Sequence, residues 1–138
     1  MPQEPSLHHV VFAVVPERHA AVTQMFSDLG FLFEPLQLAE LGLDIHLDWN
    51  RGIELISPIP GSTGEVAVTV TEFLERHGDG VFTVVIGVPE AAKADAVAER
   101  YGATTRFRQH MEGDGTFLDE NDVSILGLPL TFLATNIP

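Results

Sequence analysis

The stretch Leu7-His8-His9-Val10-Val11-Phe12-Ala13-Val14-Val15-Pro16-Glu17 decides the fold when it is set beside Val81 to Glu90. In both places an apolar, β-branched run reads as a strand. A helix opens at Pro16-Glu17 and another follows Pro89-Glu90, and the triplets Val15-Pro16-Glu17 and Val88-Pro89-Glu90 match. Pro16 suits the first helical turn, where its missing N–H has no partner to lose, and Glu17 sits at the positive end of the helix dipole. Gly30 follows Pro16 by 14 residues and Gly102 follows Pro89 by 13, each placed to end its helix. A pattern recurring at this distance marks two copies of one supersecondary unit.

Outward from these anchors, the first helix should bury Val22, Met25, Phe26 and Leu29, which share one face at helical spacing. Residues 31–38 read as an irregular strand broken near Pro35. Leu43 to Trp49 alternates, with Leu43, Ile45, Leu47 and Trp49 on one face. Asp44, His46 and Asp48 take the other, which a lone polar strand face would turn to solvent. Asn50-Arg51-Gly52 is a turn, and Ile53 to Ser57 is a strand stopped by Pro58 and Pro60. The first unit is therefore βαβββ.

Gly61 to Gly64 reads as a linker and Val70 to His77 as a short helix anchored by Phe73 and Leu74, with Gly78-Asp79-Gly80 as a turn. In the second unit, Ala94, Val97, Ala98 and Tyr101 form the helix face. Thr104 to Glu112, Thr116 to Asp119 and Leu130 to Thr135 supply strands, and Val123 to Leu126 belongs to a strand or its turn. The expectation is an α+β fold of two βαβββ modules, one over about 6–60 and one over about 79–136, within a single domain 1–138. One helix per unit covers one sheet face and leaves the other free to curl around a cavity. A ferredoxin-like arrangement ranks second, because it does not call for three strands after the helix.

Composition narrows the function. Seven Lys+Arg against 20 Asp+Glu give a net charge of −13, which argues against nucleic acid, whose phosphates need clustered cations. No apolar run approaches the ~20 residues that span a bilayer. Met1-Pro2-Gln3-Glu4-Pro5 has no basic region followed by an apolar stretch, so no secretion signal is expected. Without cysteine there is no disulfide framework, and a cytoplasmic location is the default expectation.

Four regions resemble the vicinal oxygen chelate (glyoxalase, bleomycin-resistance, methylmalonyl-CoA epimerase) superfamily. They are Leu7-His8-His9-Val10, Ile53-Glu54-Leu55-Ile56-Ser57-Pro58, Phe73 to Gly80, and Leu130-Thr131-Phe132-Leu133. The resemblance implies the glyoxalase-like fold and a divalent metal (Zn, Ni, Co or Mn) held by four side chains, two from each unit. It places these ligands on His9 and Glu54 in the first unit and on Thr83 and Thr131 in the second. Only the first pair offers an imidazole and a carboxylate, and two such ligands alone rarely hold a metal. Thr83 and Thr131 become cavity positions, and weak metal affinity is expected.

The resemblance also implies a catalytic carboxylate on the third strand, so Asp44 and His46 join Glu54 as candidate proton-transfer groups. Gln109, His110 and Glu112 could project either way. His8 should point opposite to His9, and His19 and His77 read as surface residues. Two functions stand side by side. One is an epimerase- or lyase-type enzyme acting on a small oxygenated metabolite or acyl thioester. The other is a metal-free protein that binds a cationic drug, as in the bleomycin-resistance branch. A structural or interaction role is third. The expected partners are a small molecule and a second copy of the chain, as a homodimer, with no nucleic acid and no membrane.

Overall fold

The computed structural model describes residues 4–38 and 41–138. Met1, Pro2 and Gln3 of the amino-terminal stretch lie outside the described residues. The first half runs β1 (Ser6–Ala13), α1 (Pro16–Asp28), β2 (Glu34–Leu38), β3 (Leu43–Asp48) and β4 (Ile53–Pro58). A connecting helix α2 (Glu65–His77) follows. The second half runs β5 (Gly80–Gly87), α3 (Ala91–Arg100), β6 (Thr104–Gly113), β7 (Thr116–Ile125) and β8 (Leu128–Thr135). Both halves are βαβββ, as the repeat requires.

The chain divides into two units, His9–Phe82 and Thr83–Pro138 with Met1–His8. In the first, the strands lie in the order β2-β3-β4-β1, antiparallel except that β1 runs parallel to β4. In the second, the order is β6-β7-β8-β5, and β5 runs parallel to β8. The parallel registers match. Val10 pairs with Ile53 and Val11 with Glu54; Val84 pairs with Leu130 and Val85 with Thr131. An offset of 74 on the first strand and 77 on the last superposes the two pairings, and it carries His9 onto Thr83 and Glu54 onto Thr131.

Side chains depart from the sequence reading in three places. The buried line of α1 is His19, with Val22, Thr23 and Phe26 half-buried; Met25 and Leu29 are exposed, 48% and 69%. The stripe is thus shifted around the helix and takes in an imidazole one turn earlier. On α3, Ala98 is buried while Val97 and Tyr101 are exposed, because Ala91, Ala94 and Asp95 share the inner face instead. The alternation in β3 does not turn its polar face to solvent: Asp48 is buried and His46 half-buried.

Three boundaries also differ. Helix α2 begins at Glu65, because Ala67, Val70 and Leu74 form one buried face. Strand β7 absorbs Val123 to Ile125 into one ten-residue element. Strand β2 contains Pro35, which an edge strand tolerates because the missing N–H has no ladder partner to lose. Among the described residues no helix is long and apolar enough to cross a membrane.

Helix α1 has no side-chain cap of its own, since Val15 holds the N-cap position. Asp79, in the turn after α2, supplies one. Its Oδ1 accepts from the Val15 amide at 3.1 Å and its Oδ2 from Arg18 Nε at 2.6 Å. The Arg18 side chain, with the Val15 amide, holds the Asp79 carboxyl below the ordinary carboxylate pKa against the opposing effect of burial. A depressed pKa contributes stability that is present above the unfolded-state value and lost as pH falls through the folded one. Asp79→Ala should cost about 1 kcal/mol in chemical denaturation at pH 7, in line with loss of a helix cap. The deficit relative to wild type should shrink below about pH 4. An unchanged midpoint at neutral pH would remove the cap from the account.

Candidate functional site

The parallel pairing of β1 with β4 sets side chains of Val11 and Glu54 on the same face, and the period-2 alternation adds His9. His9 Nε2 lies 3.1 Å from Glu54 Oε1. The imidazole is 3% exposed and the carboxylate 19%. The carboxylate accepts, so Nε2–H donates. Trp49 flanks the imidazole at 6.0 Å between ring centroids. The antiparallel register with β3 puts Leu47 beside Glu54 on this face, with Ile45 beside Ile56.

The corresponding positions of the second unit also meet. Thr83 Oγ1 and Thr131 Oγ1 are 3.0 Å apart and both buried. Asp122, opposite Thr131 in the β7–β8 register, takes two hydrogen bonds from Arg106, at 3.1 and 2.5 Å. Burial raises the Asp122 carboxyl above its ordinary pKa, and Arg106 and Thr131 only partly offset this. Thr83–Thr131 and Arg106–Asp122 are thus two polar pairs at neighbouring register positions.

The structure does not bring Asp44 and His46 to Glu54. His46 pairs with Leu55 and Asp44 with Ser57, so both lie on the opposite face of the sheet, the one α1 covers through Phe26 against Phe12. There they meet His19, which the sequence reading left at the surface. His19 is 6% exposed. Its Nδ1 is 2.6 Å from Ser57 Oγ and its Nε2 2.7 Å from His46 Nδ1. Ligand atoms of His19, Asp44 and His46 all lie within 4.8 Å of one another, a group that could hold a metal ion. Burial lowers the His19 pKa, with Asp44 opposing and His46 adding to the shift, so the ring is held towards neutrality. A signal for His19 was available: it precedes Val22 by three residues and Phe26 by seven, which extends the apolar line of α1 by one turn.

Of the other candidates, Asp48 is structural. It accepts from the Leu32 amide at 2.8 Å and the Arg51 amide at 3.1 Å, which ties the β3–β4 turn to the entry of β2. His110 projects from β6 beside Asp119, to which its Nδ1 is hydrogen-bonded, and Glu112 Oε1 lies 3.0 Å from its Nε2. These two carboxylates raise the His110 pKa. His110 and Asp119 line a groove of about 490 Å³ that also includes Asp95, Arg108 and Asn121.

Solved structures share this fold. A hypothetical protein of Bacillus halodurans superposes over 99% of this chain and 98% of its own, with a TM-score of 0.72 and 17% identity. Methylmalonyl-CoA epimerase from Mycobacterium tuberculosis matches over 93% of this chain and 86% of its own, with a TM-score of 0.67 and 18% identity. A 4-hydroxymandelate synthase variant from Streptomyces coelicolor matches 96% of this chain and 48% of its own, with a TM-score of 0.69 and 14% identity. No family model matches the sequence, and no curated protein is similar to it. The fold is that of the vicinal oxygen chelate superfamily, to which the epimerase and the synthase belong.

The His9–Glu54 contact generates a direct test. A buried hydrogen bond to an ionised group contributes about 1.5–3 kcal/mol. A double-mutant cycle of His9→Gln and Glu54→Gln, read by denaturant unfolding, should return a favourable coupling of about 1–2 kcal/mol. Additive effects would mean that the two side chains do not interact in solution.

Proposed function

We propose that this chain is an enzyme that moves a proton at a carbon next to a carbonyl in a small oxygenated metabolite or acyl thioester, with Glu54 as the base and His9 as its partner. The observation that carries the reading is the His9–Glu54 hydrogen bond, at the two positions the superfamily resemblance singles out. The neighbouring epimerase structures support the substrate class, one of them being a Streptomyces coelicolor epimerase in complex with 2-nitronate-propionyl-CoA.

The four positions the resemblance assigns to a metal do not fit one. Two are neutral threonine hydroxyls already bonded to each other, where the chemistry asks for an imidazole and a carboxylate. The step therefore uses the chain's own groups. Glu54 takes the α-proton, and the electrons of the C–H bond pass to the carbonyl oxygen. Protonation of Glu54 weakens its hold on the His9 Nε2–H, which is then shared with the new oxyanion. Return of the proton by Glu54 to the same face regenerates the substrate with exchange, and delivery of a proton from solvent to the opposite face completes an epimerisation.

Incubation in D2O with methylmalonyl-CoA, other 2-substituted acyl-CoA thioesters and small ketones tests this by NMR. Deuterium should enter the α-position of at least one, and Glu54→Gln should slow entry by ~10²–10⁴-fold, the usual contribution of a general base. Exchange that survives Glu54→Gln would overturn the assignment of the base. A second reading rests on the net charge of −13, which favours a cationic ligand. Tight binding of bleomycin with no exchange in any thioester or ketone would replace the enzyme by that binding protein.

A further inference from the structure

We propose that the helix-covered face of the β1–β4 sheet holds a divalent transition-metal site, made by His19 Nε2, His46 Nδ1 and an Asp44 carboxylate oxygen, with Ser57 as the residue that orients it.

Proton accounting supports the assignment. Ser57 Oγ lies 2.6 Å from the Val14 carbonyl and 2.6 Å from His19 Nδ1. A carbonyl only accepts, so the single hydroxyl proton of Ser57 goes to Val14. His19 Nδ1 must then carry a proton and donate it to Ser57. In a neutral imidazole this leaves Nε2 with a bare lone pair, aimed at His46 Nδ1. A ring whose far N–H is fixed by an oxygen while the near nitrogen is free to donate electrons is the arrangement of metal-ligating histidines.

Distances and donor chemistry agree. Two nitrogens and a carboxylate oxygen suit zinc-class ions, and three protein ligands leave a fourth position for water or a ligand. Bonds of ~2.0–2.1 Å to a tetrahedral ion hold two nitrogens about 3.3 Å apart. The rings, now 2.7 Å apart at these atoms, need to part by only about 0.6 Å. On binding, His46 changes tautomer, releasing its Nδ1 proton and taking one on Nε2, and the ion takes the place of the N–H···N bond. Asp44 and His46 are half-buried, so an ion has an entry path, and Phe33 packs edge-on against His46 at 6.3 Å.

The repeat shows that the fold does not demand this cluster. By strand register, His46 corresponds to Asn121, Asp44 to Asp119 and Ser57 to Ala134. The second unit ties its helix to its sheet through Asp95, which accepts hydrogen bonds from Asn121 Nδ2 at 2.9 Å and from Arg108 at 3.1 Å. It has neither the imidazole of His46 nor the orienting hydroxyl. The same packing is met there without a ligand set, so the paired imidazoles of the first unit are in surplus of what the architecture needs.

The site is separate from His9 and Glu54, and its test does not depend on activity. Calorimetric titration of the full chain with Zn(II), Co(II) and Ni(II) at neutral pH should show one ion per chain. The Co(II) form should give the intense visible bands of a four-coordinate site. His46→Gln and Asp44→Asn should abolish or weaken binding at least ~100-fold, and Ser57→Ala should weaken it ~10–100-fold by releasing the His19 ring. Glu54→Gln should bind as wild type. Unfolding curves of each metal-free variant establish that it is folded. Absence of binding by the wild type overturns the proposal. So does binding that survives His46→Gln and is lost in Glu54→Gln, which would move the ion to the other face of the sheet.

Discussion

The parallel register of β1 against β4, repeated by β5 against β8, is the constraint on which the rest of the molecule depends. Side chains on a strand alternate, so a slip of one residue would exchange the two faces of a whole strand. Pairing Val11 with Glu54 brings His9 and Glu54 together, and the same pairing sends Ser57 to α1. The second unit keeps the register and changes the side chains, so Thr83 meets Thr131 where His9 meets Glu54.

Each face of the first sheet consequently has its own chemistry. The His9–Glu54 face pairs a donor with a carboxylate among apolar neighbours, which suits proton transfer. The helix face pairs two imidazoles and a carboxylate under α1, which suits an ion. A carboxylate such as Asp44 cannot serve both: its register with Ser57 commits it to the helix side. The Thr83–Thr131 and Arg106–Asp122 pairs show how the second unit satisfies polar groups at and beside the positions where a cation would otherwise be expected. An arginine already neutralises the one carboxylate there.

The fold was legible in the sequence because its signals are local and repeated. Val-Pro-Glu after an apolar strand, the glycines that end both helices and the Asp44/His46 alternation all depend on neighbours a few residues away. The pairing of His9 with Glu54 was also legible, through equivalence of two strand positions, although 45 residues separate them. His19 was legible only through its spacing from Val22 and Phe26. That spacing puts it on the buried line of α1, but its partners Ser57 and His46 arrive from two strands and are not visible locally. Met25 and Leu29 failed in the opposite sense: helical spacing names a stripe, but the sheet beneath decides where its centre lies. Asp48 misled because backbone amides from Leu32 and Arg51, invisible in strand alternation, satisfy it in the interior.

That the two faces carry separate functions is tested most directly by locating a bound cation in a crystal. Anomalous diffraction at the cobalt edge from Co(II)-loaded protein places the ion without reference to activity or affinity. The account predicts one peak bonded to His19 Nε2, His46 Nδ1 and Asp44, with His9 still hydrogen-bonded to Glu54. A peak between His9 and Glu54, with His19 and His46 left in contact, would contradict it.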